Sequence, residues 1–207
     1  GVHALGMGVS FPAPPRWTAD GLRRALNALL PRDCWVEAVH PMRDGFHARK
    51  SAVGRRYRYV IGTDAAAASP FRRPFEWALG RPLDLPALEA AARRIEGTHD
   101  FRAFAVKDGS KPHHRCTIRQ AVWRVRGGDR GVVFEVAADR FLHHMVRFLV
   151  GTMVDIALGR RPSEDMTRLL ASPDNQATSP PAPPHGLYFV AAEYPADCFA
   201  APDGVAA

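Results

Sequence analysis

The stretch Arg55–Thr63, "RRYRYVIGT", has the clearest strand pattern in the chain and decides how its first part folds. Two sets of residues alternate along it: Tyr57, Tyr59 and Ile61 on one side, and Arg56, Arg58 and Val60 on the other. Aromatic rings interleaved with arginines suit a surface that stacks a base and neutralises phosphates. The alternative is a strand whose tyrosines pack in the core, and the pattern leaves both interpretations open.

Local patterns predict the other elements on either side of this stretch. Upstream we expect a strand at residues 3–11, a helix from Thr18 to about Leu30 with Leu22, Leu26 and Leu29 on one face, and a strand in "CWVEAVHP", residues 34–41. Downstream we expect a loop at 64–86, a helix at 85–97, a hairpin of strands 117–127 and 131–139, the longest helix at 140–159, a short helix at 162–172 and a last strand at 187–195.

The order of these elements predicts an α+β fold. Strand, helix, strand, strand precede residue 86, and helix, strand, strand, helix, helix, strand follow it. We therefore expect two related halves, residues 1–85 and 86–207, each an antiparallel sheet backed by helices. On this interpretation the first half lacks an opening strand and helix.

Composition favours a polyanionic partner. The formal net charge is +7, with 25 arginines and 3 lysines, and nucleic acid is the commonest partner of such a chain. No long uncharged apolar run predicts a membrane span. The three cysteines, Cys34, Cys116 and Cys198, are scattered without a CxxC pair, which predicts neither a disulfide framework nor a zinc site and fits a reducing cytoplasm.

Arg147 is the most informative single residue. It stands inside the longest predicted helix, on the face opposite the apolar stripe that includes Leu142, Met145 and Leu149. Gly151, one turn later, costs about 1 kcal/mol of helix propensity but lets a backbone or a substrate approach. A buried arginine needs a carboxylate or phosphate partner, whereas a solvated helix face is the alternative.

Two other patterns are better explained without chemistry. Adjacent histidines on a helix, as in His143–His144, point about 100° apart, so they do not predict a metal site. The same reasoning applies to His113–His114. Asp64, in "GTDA", follows the tyrosine strand and is interpreted as part of a turn.

Five segments, in this order, resemble the successive signatures of the tRNA pseudouridine synthase A family: "GVHALG", "FHARKSAVGRRYRYVI", "GTHDFRAF", "FLHHMVRFLVGTMVDIALGR" and "GLYFVAAEYP". Together they extend from Gly1 to about Pro195. The resemblance implies a homodimer of two-domain subunits with a basic cleft between the domains. It also implies conversion of uridines in the tRNA anticodon stem-loop to pseudouridine, in the cytoplasm, without metal or cofactor.

The resemblance also implies roles for particular residues. Tyr57 matches the ring that supports the flipped uridine, and Arg147 matches the arginine that pairs with the catalytic carboxylate. Further expected tRNA contacts are Arg55, Arg56, Arg58, His47, Phe104 and His144. The nucleophilic aspartate belongs in a "GRTDA" segment two positions before Gly1, so we expect the 207 residues alone to be inactive. A non-catalytic RNA-binding remnant that keeps the basic cleft is the alternative.

Overall fold

The computed structural model describes residues 1–106, 113–172 and 174–200. These residues form two compact units. The first unit combines residues 1–7 with residues 53–192, and the second combines residues 8–52 with the chain from Glu193 onward. The expected boundary between residues 85 and 86 falls inside the first unit, and the division into two related halves stays a prediction.

Seven strands of the first unit form one sheet. Their bounds are β1 His3–Ala4, β2 Gly54–Gly62, β3 Trp77–Ala78, β4 Gly97–Asp100, β5 Arg115–Arg126, β6 Gly131–Ala138 and β7 Leu187–Glu193. The order is β1-β7-β2-β6-β5-β4, with β3 paired to β2. Strands β2, β6, β5 and β4 are antiparallel neighbours, whereas β1 runs parallel to β7.

This sheet confirms the α+β class and corrects one part of the expectation. The strand at Arg55–Thr63 and the hairpin of β5 and β6 form where the alternation predicted them. The two predicted halves, however, do not each build a sheet of their own among the described strands. Strand β2 lies beside β6, so that Tyr59 faces Phe134 across one continuous sheet.

Helices cover the face of the sheet that carries the large apolar side chains. In the first unit the described α-helices are α2 Leu85–Arg93, α3 Met145–Ala157 and α4 Asp165–Leu170, and α1 Ala19–Leu29 belongs to the second unit. Tyr59, Trp123 and Phe134 share one buried cluster with α2 and α3, and the Trp123 indole nitrogen lies 3.3 Å from the Met153 sulfur. Burial of these rings is the main stabilising contribution at this face.

The longest helix begins later than expected and is buried almost all round. Helix α3 starts at Met145, so His143 precedes it and His144 occupies its N-terminal cap. Phe148, Val150 and Val154 are buried as well as the predicted stripe. The alternative interpretation, a solvated face opposite that stripe, therefore does not describe this helix, because neighbouring segments pack against both of its sides.

The second unit shows where local patterns did not suffice. Thr18 caps α1 as predicted, since its Oγ1 accepts from the Gly21 amide at 3.1 Å. No residue of α1 is buried, however, and Leu29 is 84 % exposed. Residues 34–41 form no strand, because among the described residues the nearest ladder contact is the single bridge between Met42 and Phe199. The strand expected at residues 3–11 shortens to β1.

Candidate active site

Tyr57 lies on the helix-covered face of β2, where its ring packs against two other aromatic rings. The ring meets Phe141 at a centroid distance of 4.9 Å and Phe189 at 5.2 Å, both nearly perpendicular. Burial raises the pKa of Tyr57, partly offset by the charge of Arg55. Its hydroxyl has no hydrogen-bond partner among the described residues. The ring is thus fixed while its polar end stays available.

Tyr59, the second tyrosine of the same face, is a core residue. It is fully buried, and its hydroxyl donates to the Pro183 carbonyl at 2.7 Å. Burial raises the pKa of Tyr59 far above its ordinary value, so the hydroxyl keeps its proton. The two interpretations of the tyrosine strand therefore apply to different residues. Tyr59 packs in the core, and only Tyr57 remains a candidate for a base-stacking surface.

The pleat of β2 separates the three expected arginine contacts. Arg55 shares the face of Tyr57, and its Nη1 donates to the Asp139 carbonyl at 2.7 Å. Arg56 and Arg58 point to the opposite face. There Arg58 forms an ion pair with Glu135 at 3.0 Å. Of the three, the structure brings only Arg55 to the side of the sheet that carries Tyr57.

Arg147 is partly buried at the first turn of α3 and contacts a neighbouring segment. Its Nε donates to the Ala182 carbonyl at 2.6 Å, and the Ala182 amide donates to the Arg147 carbonyl at 3.0 Å. No carboxylate among the described residues forms an ion pair with it, and its two Nη atoms make no hydrogen bond there. A half-buried guanidinium with two unused donor groups is suited to a two-pronged anion.

His144 adjoins Arg147 at the start of the helix. Its backbone is left-handed, with φ of 62°, and its ring lies 4.2 Å from that of His143. Burial lowers the pKa of His144, and the nearby His143 and Arg147 lower it further. His144 therefore favours its neutral form, which neutralises no phosphate but can donate or accept one hydrogen bond.

The segment of residues 180–186 completes this neighbourhood. It holds the carbonyl partners of both Tyr59 and Arg147. A Cβ built on Gly1 would lie 3.3 Å from the Pro184 ring, so the first residue of the chain rests on the same segment. Tyr57 lies about 7 Å from Tyr59 along the strand. Arg147 and Gly1 thus both lie beside residues 182–184, and Tyr57 lies two residues along β2 from the tyrosine that binds Pro183.

Two expected contacts lie elsewhere. Phe104 is fully buried in the core of the first unit, and this burial favours packing over direct contact with a substrate. His47 belongs to the second unit, where its Nδ1 accepts from the Arg49 amide at 3.1 Å and so stabilises a turn. Their assignment to tRNA binding stays a prediction.

Sequence reasoning missed the aromatic partners of Tyr57 and the segment at 180–186. Phe141 and Phe189 are distant from Tyr57 in sequence, and only the pairing of β7 and β6 with β2 brings them together. The segment reads "PPAPPHG", a proline-rich composition typical of a loop. Its signal was Gly186, where a Cβ would approach the Tyr59 ring to 2.8 Å and which therefore admits only glycine.

Two general properties complete the description. None of the described helices has the length and apolar composition that crossing a bilayer requires. Within the described residues, no group of three or more histidine, cysteine or acidic side chains is arranged to hold a metal ion.

The sheet and its helices carry a half-buried tyrosine and a partly buried arginine whose Nη atoms make no hydrogen bond among the described residues. RNA-modifying enzymes use side chains of these types to hold a base and an anion. A family model described as tRNA pseudouridine synthase matches residues 91–195. The chain is 39 % identical over 201 residues to tRNA pseudouridine synthase A of Chloroflexus aurantiacus, covering 94 % of this chain and 70 % of the relative. It is 40 % identical to the protein of that name from Roseiflexus sp., covering 100 % and 76 %, and 37 % identical to that of Thermus thermophilus, covering 94 % and 77 %. The chain belongs to the tRNA pseudouridine synthase A family.

Proposed function

We propose that this chain is part of an isomerase that converts uridine to pseudouridine in the anticodon stem-loop of tRNA. The observation that carries the proposal is Arg147, whose Nη atoms are unused among the described residues while its Nε is fixed to Ala182. The reaction needs no external reactant, since the N1–C1′ bond breaks, a C5–C1′ bond forms, and the proton lost from C5 is matched by one gained at N1.

A carboxylate is the covalent catalyst that the resemblance implies. The resemblance places it two positions before Gly1, and Gly1 contacts Pro184. Two extended residues span at most about 7 Å. We therefore expect a carboxylate at that position to lie close to the guanidinium beside Ala182. The charge of Arg147 would keep this carboxylate ionised and aimed at the sugar or the base.

Tyr57 supplies the surface for the base. A uridine must leave its stack before its glycosidic bond can be attacked, and an aromatic face compensates part of that cost. Perpendicular contacts with Phe141 and Phe189 fix the Tyr57 ring, so little side-chain entropy is lost when the base arrives. Arg55, on the same face, is the arginine best placed to meet the phosphate backbone.

The test replaces the arginine in a protein that also contains the "GRTDA" segment. Arg147→Met removes the charge and should abolish most turnover while tRNA binding is kept, because other arginines still contact the phosphates. Arg147→Lys should also be poor, because an ammonium group lacks the two-pronged contact. Arg160→Met is the control, since Arg160 pairs with Asp155 at the exposed end of α3. Wild-type turnover in folded Arg147→Met protein would refute the role proposed for Arg147, and absence of pseudouridine in the unsubstituted protein would refute the proposed function.

We further propose that the enzyme acts in the cytoplasm as a homodimer, as the resemblance implies. Light scattering of the purified protein tests the dimer directly, and a monomer at working concentration would contradict it. The alternative of a non-catalytic RNA-binding remnant has its own readout. A remnant binds tRNA but makes no pseudouridine even when the upstream segment is present.

The expected inactivity of the 207 residues alone is a separate proposal. The purified chain is incubated with unmodified tRNA, and pseudouridine is mapped against a control without enzyme. Pseudouridine above that control would contradict the assignment of the nucleophile and would direct attention to Asp64 and Asp139. The Asp64 carboxylate pairs with Arg72 at 2.7 Å, which lowers its pKa, and the Asp139 carboxylate accepts from the Thr117 and Arg140 amides.

A further inference from the structure

Residues 180–186, which we call the strap, are held against the site by interactions at both ends. At one end, a Cβ on Gly151 of α3 would come within 2.2 Å of the Pro180 carbonyl oxygen. At the other, a Cβ on Gly186 would lie 2.8 Å from the Tyr59 ring. Two glycines thus allow the backbone of the strap to approach a helix and a strand more closely than any side chain permits.

Between these ends, the side chains of Arg147 and Tyr59 donate hydrogen bonds to adjacent residues of the strap. Arg147 and Ala182 exchange two hydrogen bonds, one through the Arg147 side chain and one through its backbone carbonyl. The Tyr59 hydroxyl donates to the next carbonyl, that of Pro183, at 2.7 Å. Ala182 is itself buried, so this pairing has little competition from water.

We infer that the strap is a positioning element, and that the buried Tyr59 hydroxyl aims the Arg147 guanidinium through it. The strap uses the Nε of Arg147 and leaves both Nη atoms for an anion. A guanidinium fixed at one nitrogen has fewer orientations, so the fork it presents is preorganised. Because Tyr59 fixes the neighbouring carbonyl, its hydroxyl limits how far Ala182 can move.

Tyr59 is therefore a positioning residue and not a catalytic one. It is fully buried, and its hydroxyl keeps its proton because burial raises its pKa far above the ordinary value. It cannot touch the uridine or exchange a proton with it. This inference rests on the proposed function, since it assumes that Arg147 pairs with the catalytic carboxylate.

The experiment is Tyr59→Phe in a protein that contains the "GRTDA" segment. The ring that fills the core is kept, and only the hydrogen bond to Pro183 is lost. The matched control is Tyr188→Phe. Tyr188 lies on β7, and its hydroxyl also donates to a backbone carbonyl, that of Phe75, at 2.6 Å. Single-turnover rates at saturating tRNA and the Kd for tRNA are measured on both variants, at a temperature where melting curves show both to be folded.

We expect Tyr59→Phe to slow the single-turnover step roughly tenfold to a hundredfold, the cost of a small misplacement of a catalytic partner, with an unchanged Kd. Tyr188→Phe should keep the wild-type rate. Amide exchange adds a direct measure of the strap. The Ala182 amide, which donates to Arg147, should exchange roughly three- to tenfold faster in Tyr59→Phe, as loss of one hydrogen bond allows.

Three outcomes are decisive. A wild-type single-turnover rate in folded Tyr59→Phe protein overturns the inference. A rate loss equal to that of Tyr188→Phe also overturns it, because the hydroxyl would then contribute only to stability. Failure of the proposed function is distinguishable, since the unsubstituted protein would then make no pseudouridine, whereas failure of the strap inference requires an active unsubstituted protein, an inactive Arg147→Met and a normal Tyr59→Phe.

Discussion

At the scale of single residues, neighbouring positions of one strand differ in their environment. Tyr57 and Tyr59 lie on the same face of β2, yet Tyr59 is fully buried against the strap and Tyr57 keeps a hydroxyl without a partner among the described residues. The difference comes from what covers each ring. The Pro183 carbonyl accepts from the Tyr59 hydroxyl, whereas Tyr57 meets Phe141 and Phe189 in nearly perpendicular ring contacts. Of the two tyrosines, only Tyr57 is partly exposed.

This environment leads to a prediction for Tyr57 in the protein with the upstream segment. If stacking is its role, Tyr57→Phe should retain far more turnover than Tyr57→Leu, since base–aromatic stacking is worth about 1–3 kcal/mol. If the hydroxyl takes part in proton transfer at C5, both variants should lose roughly 10²–10⁴-fold. Turnover is measured at saturating tRNA. Near-normal turnover in Tyr57→Leu would return Tyr57 to a packing role.

A second prediction at this scale concerns acid stability. Burial, His143 and Arg147 hold the pKa of His144 below its unfolded value of about 6.5. The unfolded chain then binds the proton more tightly than the folded chain does. The contribution of His144 to the free energy of unfolding is therefore fully present above about pH 6.5 and is lost as pH decreases through the folded pKa.

The test compares urea unfolding of the wild type and His144→Asn at pH 7.5 and pH 5.5. Asparagine tolerates the left-handed backbone of this position, so strain does not obscure the result. The variant should lose less stability than the wild type between the two pH values. An equal loss would show that other groups account for the acid sensitivity.

At the scale of elements, a glycine in α3 tests how the strap is seated. Gly151→Ala in a free helix would gain about 1 kcal/mol of propensity. Here the added Cβ would meet the Pro180 carbonyl oxygen at 2.2 Å, and overpacking of this kind costs about 1–3 kcal/mol. We therefore expect a lower melting temperature for Gly151→Ala.

Gly127→Ala is the control, because no atom lies within 4 Å of its added Cβ. An unchanged or higher melting temperature for Gly151→Ala would contradict this packing.

Elements with a strong local signal were predictable from the sequence, and those that depend on distant partners were not. The alternation in β2 and the turn between β5 and β6 specify themselves, as does the Thr18 cap of α1. Residues 34–41 alternate equally well but have no neighbouring strand among the described residues. The strap has no periodicity at all, and its order comes from contacts with β2 and α3. Arg147 was predictable as a site residue, because a charged side chain inside an apolar helix requires a polar partner. The hydrogen bond from its Nε to Ala182 could not be predicted from the sequence.

At the scale of the whole molecule, burial is unevenly distributed between the two units. Nearly all fully buried large side chains of the described chain, such as Phe101, Phe134 and Leu149, belong to the first unit. In the second unit, α1 buries none of its residues, and its loop contact relies on the Asn27 side chain, which hydrogen-bonds both the amide and the carbonyl of Val36 at 2.7 and 2.9 Å. Local opening costs least where few apolar contacts are lost.

The corresponding prediction is that amides of α1 exchange with solvent much faster than those of α3 in the 207-residue chain. Hydrogen exchange followed by mass spectrometry measures both helices in one experiment. Asn27→Ala should accelerate exchange in α1 further, because it removes both contacts to Val36, and should leave α3 unchanged. The β5–β6 hairpin, which contributes Trp123 and Phe134 to the core, serves as an internal reference for slow exchange. Equal protection of α1 and α3, or acceleration of both by Asn27→Ala, would show that the two units open together as one cooperative structure.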